Sequence, residues 1–470
     1  MLRELSRRVH AGVISSTELI NESIRRIEAS NGAINAVVAT DFTRALEAAR
    51  KVDDAVARNE HVGVLAGIPI LVKDVEDVAG LPTTHGSLTR ADAKPAGSSG
   101  LVPGRLMDAG AIVVGKTNAP EYSFEVYTSN RLFGSTVNPW APDWSPGGSS
   151  GGSAAAIAAG FAPIATATDG GGSIRIPGAF CGLAGLKPTS GIVPRSPIPA
   201  WIDLSTDGPM ATSIDDLELL FNLISGVADG DPNAVPRNSL RRAAFSRPIQ
   251  VLAAPRTYDW GPLPTEIQQF FDRALLSLHH DLALEITPIS AGEIFRSGNP
   301  DLDWFVLCCT EQAHLLGHQF IEDNAERFDE IFLGHMRFGM SRTLENYLDA
   351  RRLRFAYTAE FDALLGSEKI LATPTMAVQG FLPDGRPDAQ SAPGIGPEAL
   401  NTVIQNITGN PAITLPAGVL SNGVPFGLQL TGPRYSELLL LELGRLWEAS
   451  NPWPLTAPNY RSFTTEGLNL

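Results

Sequence analysis

Two glycine-rich segments constrain the fold more than any other feature of this sequence. The first is SPGGSSGG at residues 145–152, and the second is TATDGGGSIR at residues 166–175. So many glycines destabilise the interior of a helix or strand, so both segments are predicted to be tight turns. Between them, Ser153–Ala159 consists mainly of alanine and predicts a closely packed helix of small residues.

Strand-like and helix-like stretches alternate around these turns. Gly67–Lys73 has the composition of a buried strand that ends in a charged residue, Leu101–Ala109 predicts a helix, and Ala111–Val114 predicts a short strand. Such alternation is typical of βα units. We therefore predict an α/β fold in which a central mixed β-sheet is covered by helices on both faces. Residues 1–470 are predicted to form a single domain, with residues 67–195 as its catalytic core.

The remaining stretches fit the same class. Helices are predicted over residues 1–60, where Ser15-x-x-Glu18 has the pattern of a capping box, and over most of residues 304–364. The other predicted elements are a strand at 249–253, a helix at 266–279, strands at 282–286 and 370–373, and a final βαβ-like segment containing 412–415 and 426–430.

Composition disfavours several classes of partner. The formal net charge is −15 at pH 7, and an acidic surface repels the phosphates of nucleic acids. Three cysteines without zinc-ligand spacing argue against a disulfide scaffold and against a metal site. Charges interrupt the apolar residues at the start of the chain, unlike in a signal peptide or membrane anchor. We expect a cytoplasmic enzyme, monomeric or homodimeric, that acts on a small molecule without a cofactor and has neither nucleic acid nor membrane as a partner.

Lysine is rare, and three of the six lysines directly follow apolar runs: Lys73, Lys116 and Lys187. A lysine at the inner end of a buried strand is poorly solvated, which disfavours its charged form and makes it a usable general base. Asp74 comes next, but successive side chains of an extended segment point to opposite faces, so Asp74 need not neutralise Lys73. Position alone also fits a lysine whose long side chain extends to solvent.

The glycine-rich turns indicate where acyl transfer could occur. Successive amides at Gly170, Gly171 and Gly172 are unhindered by side chains and could bind the anionic oxygen of a tetrahedral intermediate. Ser173 then presents a hydroxyl to the carbonyl carbon, and residues 147–152 supply further hydroxyls at the start of a helix. The turns could equally be simple connections or a phosphate-binding loop, although neither has a GxxxxGK[ST] or GxGxxG pattern in a strand–helix setting.

A rival interpretation comes from Gly147-x-Ser149-x-Gly151, which formally matches the GxSxG elbow of α/β-hydrolases. That elbow needs an apolar strand just before it, whereas residues 138–146 read NPWAPDWSP. The histidine of a Ser–His–Asp triad would also have to lie outside any glycine-rich loop, at His279, His280, His314, His318 or His335. Both features disfavour this rival.

Together these segments resemble the amidase signature family, whose core is approximately GGSSGGSAAAxAAG…TDxGGSIRxPAxxCGxxGLKPT. This chain has GGSSGGSAAAIAAG at residues 147–160 and TDGGGSIRIPGAFCGLAGLKPT at residues 168–189. The GIPxxVKD block of the family is present at residues 67–74. Shorter matches are GKTN at 115–118 with Glu121, NP at 138–139, DGP at 207–209 and GNPAI at 409–413. The likeness covers nearly the whole chain and is diffuse in residues 230–370.

The resemblance implies a Ser–Ser–Lys triad. Ser173 would be the nucleophile, Ser149 the bridging residue held by a cis peptide bond, and Lys73 the base. The implied oxyanion hole is the backbone of Gly170, Gly171 and Gly172 with the amide of Ser173. The positions that support the family's site by hydrogen bonding are Ser150, Asp169 and Arg175. The family gives Lys116 and Lys187 no catalytic role.

Three residues depart from the family pattern. Gly170 stands where Thr, Ile or Asn is frequent, and is expected to leave the oxyanion loop more open and more mobile. Gly178 replaces the common Ala or Ser. Glu125 stands where glycine is common, in the 121–130 segment that tends to line the substrate pocket. The candidate pocket residues in this segment are Tyr122, Phe124 and Tyr127.

The sequence therefore predicts an amidohydrolase that cleaves C–N acyl bonds of small, largely apolar amides through a serine acyl-enzyme. Aryl amides are the favoured substrates, with carbamates (urethanes) and esters as further possibilities, since each can form a tetrahedral intermediate. One alternative is a subunit similar to the glutamine-hydrolysing part of tRNA amidotransferases, which works with partner proteins and tRNA. Another is a non-catalytic binding protein on the same scaffold.

Overall fold

Helices dominate the start of the chain in the computed structural model, which describes residues 1–241, 249–386, 399–464, 466 and 468. In order come α1 (Leu2–His10), α2 (Ser16–Ile34), β1 (Val37–Thr40) and α3 (Phe42–Ala57). The predicted capping box is confirmed, because the Ser15 hydroxyl accepts from the Glu18 amide and the Glu18 carboxylate accepts from the Ser15 amide. β1 has too few residues for its period to be recognised from sequence.

Lys73 ends a strand of a four-stranded sheet. The strands β2 (Pro69–Lys73), β3 (Ile112–Thr117) and β4 (Ile164–Ala165) join β1 in the order β1-β3-β2-β4. β2 runs parallel to both of its neighbours, whereas β1 is antiparallel to β3. The connection from β2 to β3 contains α4 (Leu101–Asp108), as predicted. β3 extends further than predicted and includes Lys116.

The segment with the two glycine-rich turns alternates short helices and strands. In chain order it contains α5 (Gly151–Ala158), β5 (Thr168–Asp169), α6 (Arg175–Phe180), β6 (Ala184–Lys187), β7 (Thr206–Asp207) and β8 (Met210–Ala211). Every residue of α5 is buried, so the predicted tightly packed helix of small residues is confirmed. β5 and β7 form a two-stranded antiparallel ribbon in which Thr168 lies opposite Asp207.

The rest of the chain supplies further helices and most of a larger sheet. In chain order its elements are α7 (Ile214–Ile224), β9 (Gln250–Ala253), α8 (Thr265–His280), β10 (Glu285–Pro288), α9 (Pro300–Leu316), α10 (His318–Asp323), α11 (Glu330–Met340), α12 (Leu344–Leu365), β11 (Lys369–Pro374), α13 (Ile404–Thr408), β12 (Ala412–Val419), β13 (Pro425–Thr431) and α14 (Glu437–Ser450).

The larger sheet is mixed and has the strand order β10-β9-β11-β13-β12-β6-β8. β9 runs parallel to β10 and β11, and the other neighbours pair antiparallel. Phe426 contacts Phe270 of α8, while the next residue, Gly427, faces Ala179 of α6. Because successive strand residues point to opposite faces, helices cover both faces of this sheet. The predicted α/β class is confirmed.

Two details differ from the expectations. The final βαβ-like segment is an antiparallel hairpin, because the short connection from Val419 to Pro425 cannot contain a crossover helix. The strands also form separate four-, seven- and two-stranded sheets among the described residues. Lys73 therefore lies outside the largest sheet.

Candidate active site

Lys73 is buried at the end of β2 with its amine directed at two hydroxyls. Its Nζ lies 2.7 Å from Ser149 Oγ and 2.9 Å from Thr168 Oγ1. The side chain is fully buried, and burial lowers the pKa of Lys73 to about 7, although Glu76 and Asp207 act in the opposite direction. A substantial fraction of this lysine is therefore neutral and able to accept a proton near neutral pH.

Asp74 does not neutralise Lys73, as predicted from its position in an extended segment. Its Oδ1 lies 3.4 Å from Nζ of Lys116, which also donates to the Glu76 carbonyl at 2.7 Å. Lys187 is buried as well, and its Nζ donates to the carbonyl of Pro188 at 2.7 Å. Lys116 and Lys187 thus hold backbone carbonyls, whereas Lys73 contacts side-chain hydroxyls.

The first glycine-rich turn places Ser149 between Lys73 and the second turn. The Gly148–Ser149 peptide bond is cis, as expected from the family resemblance. The Ser150 amide donates to the Ser173 carbonyl at 3.3 Å, and the Ser150 hydroxyl donates to the Thr168 carbonyl at the same distance. Ser150 therefore ties the two turns together.

Ser173 is partly exposed and lines the same cavity as Ser149 and Thr168. In the part of the chain that the structure describes, its hydroxyl has no hydrogen-bond partner. A substrate carbonyl in the cavity could approach this oxygen without breaking an existing contact.

Asp169 and Arg175 hold the second turn in shape. The Asp169 carboxylate accepts from the amides of Gly172 (2.7 Å) and Ile174 (3.2 Å) and from the Arg175 guanidinium (2.9 and 3.0 Å). Burial favours the neutral acid, but the Arg175 charge outweighs it and keeps the pKa of Asp169 below its usual range. Arg175 also donates to the side-chain oxygens of Gln405, Asn406 and Gln429.

The amides of the turn are not equally available to an oxyanion. The Gly172 amide is engaged by Asp169, and the Gly171 carbonyl accepts from Thr402 Oγ1 at 2.6 Å. Among the described residues, no acceptor is found for the amides of Gly170, Gly171 and Ser173. Three of the four predicted donors therefore remain open to a ligand.

The expectation of an open, mobile loop at Gly170 is wrong. A Cβ at Gly170 would lie 2.2 Å from Cε3 of Trp201, and one at Gly171 would lie 2.6 Å from Cζ2 of Trp304. The Trp304 indole also donates to the Gly170 carbonyl at 2.7 Å. The two indoles occupy the space that side chains would otherwise fill, so glycine here allows close packing.

The triad opens into a cavity of about 680 Å³. The apolar part of its wall includes Leu101, Val102, Ile198, Leu315, Leu316 and Phe320, and its aromatic part includes His85, Tyr122 and Trp201. The charged side chains of the wall are Glu76, Asp77, Arg90, Arg195 and Asp207. The wall thus combines an apolar surface with more charge than the sequence led us to expect.

Only one of the three candidate pocket residues lines this cavity. Tyr122 does so and stacks on His85, with ring centroids 5.4 Å apart. Phe124 is instead packed edge-on against Trp201, at 5.1 Å, and Tyr127 is buried in a separate apolar cluster with Phe180 and Trp144. The predictions for Phe124 and Tyr127 are therefore wrong. Glu125 also lies off the cavity wall, with Oε1 3.3 Å from His335 Nδ1.

Glu76, Asp207, Trp201 and Trp304 were missed from sequence. Glu76 stands three residues after Lys73, on the same block, and Asp207 begins the quoted DGP match. Both acids could have been noticed by proximity to matched motifs. The two tryptophans lie in segments without a motif, and only the tertiary fold brings them to the glycines.

The described residues contain no cluster of three or more His, Cys, Asp or Glu side chains that could hold a metal ion. Within the same part of the chain, no helix has the length and apolarity needed to cross a membrane.

The fold and these two motif-bearing turns correspond to one class of protein. The chain matches the Amidase family over residues 18–441, so it belongs to the amidase signature family of enzymes, which hydrolyse C–N bonds of amides.

Individual relatives point to two kinds of substrate. The glutamyl-tRNA(Gln) amidotransferase of Cyanothece sp. has one subunit that is 31% identical, over 96% of this chain and 98% of that protein. The acylamidase of Rhodococcus erythropolis is 30% identical, over 96% and 95%. The solved structure of a bacterial aryl acylamidase of the amidase signature family has a TM-score of 0.86 and 25% identity, covering 95% of each chain.

Proposed function

We propose that this chain hydrolyses small amides of apolar acids, with Ser173 as nucleophile, Ser149 as proton relay and Lys73 as base. The observation that carries the proposal is the 2.7 Å contact between Lys73 Nζ and Ser149 Oγ, on a cavity wall that also presents the unpartnered hydroxyl of Ser173. A buried lysine with a pKa of about 7 supplies the base without histidine or metal.

In this mechanism Lys73 takes the proton of Ser149 as Ser149 takes the proton of Ser173. The Ser173 oxygen attacks the carbonyl carbon, and the amides of Gly170, Gly171 and Ser173 stabilise the resulting oxyanion. When the C–N bond breaks, the proton returns through Ser149 to the leaving nitrogen. Water then attacks the acyl-enzyme by the same relay and releases the acid.

The apolar part of the cavity supports an apolar acyl or aryl group. Ile198, Leu315 and Phe320 can remove such a group from water. Aryl amides remain the favoured substrates, and carbamates and esters follow from the same chemistry. Because Trp201 fills the space beside Gly170, an enlarged oxyanion loop no longer supports carbamates in particular.

The test is a panel of matched anilides, alkyl amides, aryl carbamates and esters offered to the purified chain. We expect unaided turnover, with kcat/KM for an apolar anilide above that for an amide whose acyl part bears a carboxylate. A preference of about tenfold or more for the carboxylate substrate would contradict the proposed use of the apolar wall.

A second candidate is a glutaminase subunit that delivers ammonia to a tRNA-dependent partner. Its support is the amidotransferase relative that is 31% identical along nearly the whole chain. The formal charge of −15 favours the first candidate, since it opposes association with tRNA. We accordingly propose a cytoplasmic monomer or homodimer with a small-molecule substrate and with neither a nucleic acid nor a membrane partner. Glutamine hydrolysis that appears only with partner proteins and tRNA would favour the second candidate.

A further inference from the structure

Two carboxyl groups beside Lys73 have no part in the mechanism above. Glu76 follows β2, and Asp207 ends β7. Both side chains line the same cavity as Ser149 and Ser173.

Two threonines fix the carboxyls around the lysine. Thr166 Oγ1 accepts from the Lys73 amide at 2.9 Å and donates to Glu76 Oε2. Thr168 Oγ1 accepts from Lys73 Nζ at 2.9 Å, and Thr168 lies opposite Asp207 in the ribbon, so the two side chains share a face. No ion pair within the described residues joins Lys73 to either acid. The carboxyls are therefore near the amine without being consumed by it.

Asp207 has an unmet demand for hydrogen-bond donors. Its side chain is 11% exposed, and its buried Oδ1 has no hydrogen-bond partner in the described part of the chain. The nearest cation is Arg195, whose Nη2 lies 3.6 Å from Oδ1, too far for a hydrogen bond, and whose other Nη donates to Ser205. A buried acceptor on a cavity wall is ordinarily satisfied by what enters the cavity.

The charges around the pair favour a cationic guest. Burial and the proximity of Asp207 raise the pKa of Glu76 to about 8, and burial raises the pKa of Asp207 against the opposing charges of Arg195 and Lys73. Lys116 faces Glu76 from β3 but donates to its backbone carbonyl. A positive group placed between the carboxyls would relieve their repulsion and let both ionise.

We propose that Glu76 and Asp207 form a subsite for an amino group on the leaving amine, so that the enzyme prefers amides of diamines to amides of simple alkylamines. This rests on the proposed function, in which Ser149 and Lys73 return a proton to the leaving nitrogen. The groups around Lys73 therefore lie on the leaving-group side. The apolar wall remains for the acyl part.

The test compares two amides of one apolar acid, the N-(4-aminobutyl) amide and the N-pentyl amide, which differ in an ammonium against a methyl group. For the wild type we expect the amino compound to have a kcat/KM higher by about tenfold or more at pH 8, the size of one charge-assisted hydrogen bond. Glu76→Gln and Asp207→Asn should each reduce this ratio to less than about threefold. General damage to Lys73 cancels, because both substrates share the acyl chemistry.

Asp77→Asn is the matched control, since Asp77 is an exposed acid on the same cavity wall. Its ratio should match that of the wild type, and an equal collapse would mean general attraction and overturn the subsite. Free 1,4-diaminobutane should also inhibit wild-type hydrolysis of the N-pentyl amide competitively and better than butylamine, a measurement that needs no variant. Equal turnover of both amides would overturn the subsite alone, whereas turnover of neither would overturn the proposed function.

Discussion

At the scale of single residues, the proposed chemistry is tested most directly at Ser173. We expect Ser173→Ala to lower kcat by at least about a thousandfold, because the covalent route is lost. The fold should be unaffected, since the hydroxyl has no partner among the described residues. Turnover is compared with the circular dichroism melting curve, and a folded variant that keeps more than a few per cent of activity would refute the assignment.

Lys73 can be separated from other buried lysines by a matched substitution. Lys73→Met should be nearly as damaging as loss of Ser173, because relay residues act as a unit. Lys187→Met is the control: Lys187 is equally buried and its pKa is also lowered to about 7, but its amine meets only a backbone carbonyl. We expect this variant to stay within about tenfold of the wild-type kcat, since no proton transfer involves Lys187. Equal losses would argue that burial matters and position does not.

The pH dependence follows from the same lysine. Only neutral Lys73 can accept a proton, and its pKa is about 7. On an activated anilide, kcat/KM should therefore rise with pH through about 7 and level off above it. The measurement needs a substrate for which chemistry is shown to be rate-limiting, and a flat profile across this range would count against a lysine base.

At the scale of elements, the second glycine-rich turn is shaped by groups that close on it from outside. Gly170→Ala should destabilise the fold by about 1–3 kcal/mol and lower kcat/KM, because the new Cβ would collide with Trp201. Gly178→Ala is the control, as its Cβ would meet only the Thr414 methyl, at 3.1 Å. Thermal melts and kinetics of both variants test this, and adding Trp201→Ala should recover part of the loss. A Gly170→Ala protein as stable as the control would show that the turn tolerates a side chain.

The same turn shows what sequence can and cannot predict. The strand ending at Lys73, the helix of small residues and the turn glycines were recognisable because each depends on a short local pattern. The role of Gly170 was not, because Trp201 and Trp304 reach it only through tertiary packing. Phe124 and Tyr127 were misassigned for a related reason, since an aromatic residue next to a motif can equally face a cavity or a core.

At the scale of the whole molecule, the site lies where separate sheets meet. Lys73 comes from the four-stranded sheet, Thr168 from the two-stranded ribbon, and Arg175 is anchored to Gln429 of the seven-stranded sheet. We predict that heating abolishes activity a few degrees below the unfolding transition, because small displacements between sheets lengthen the Lys73–Ser149 contact before either sheet melts. Residual activity measured during the melt tests this, and coincident curves would contradict it.

The apolar cavity wall has a different origin from the triad. Ile198 lies in a loop, and Leu315, Leu316 and Phe320 lie at the end of α9 and in α10, outside all three sheets. Laboratory evolution toward a new acyl group can therefore randomise these four positions while the reaction machinery stays fixed. Selectivity and turnover would then be inherited almost independently, which makes this scaffold a favourable starting point for recombining substrate ranges between homologues.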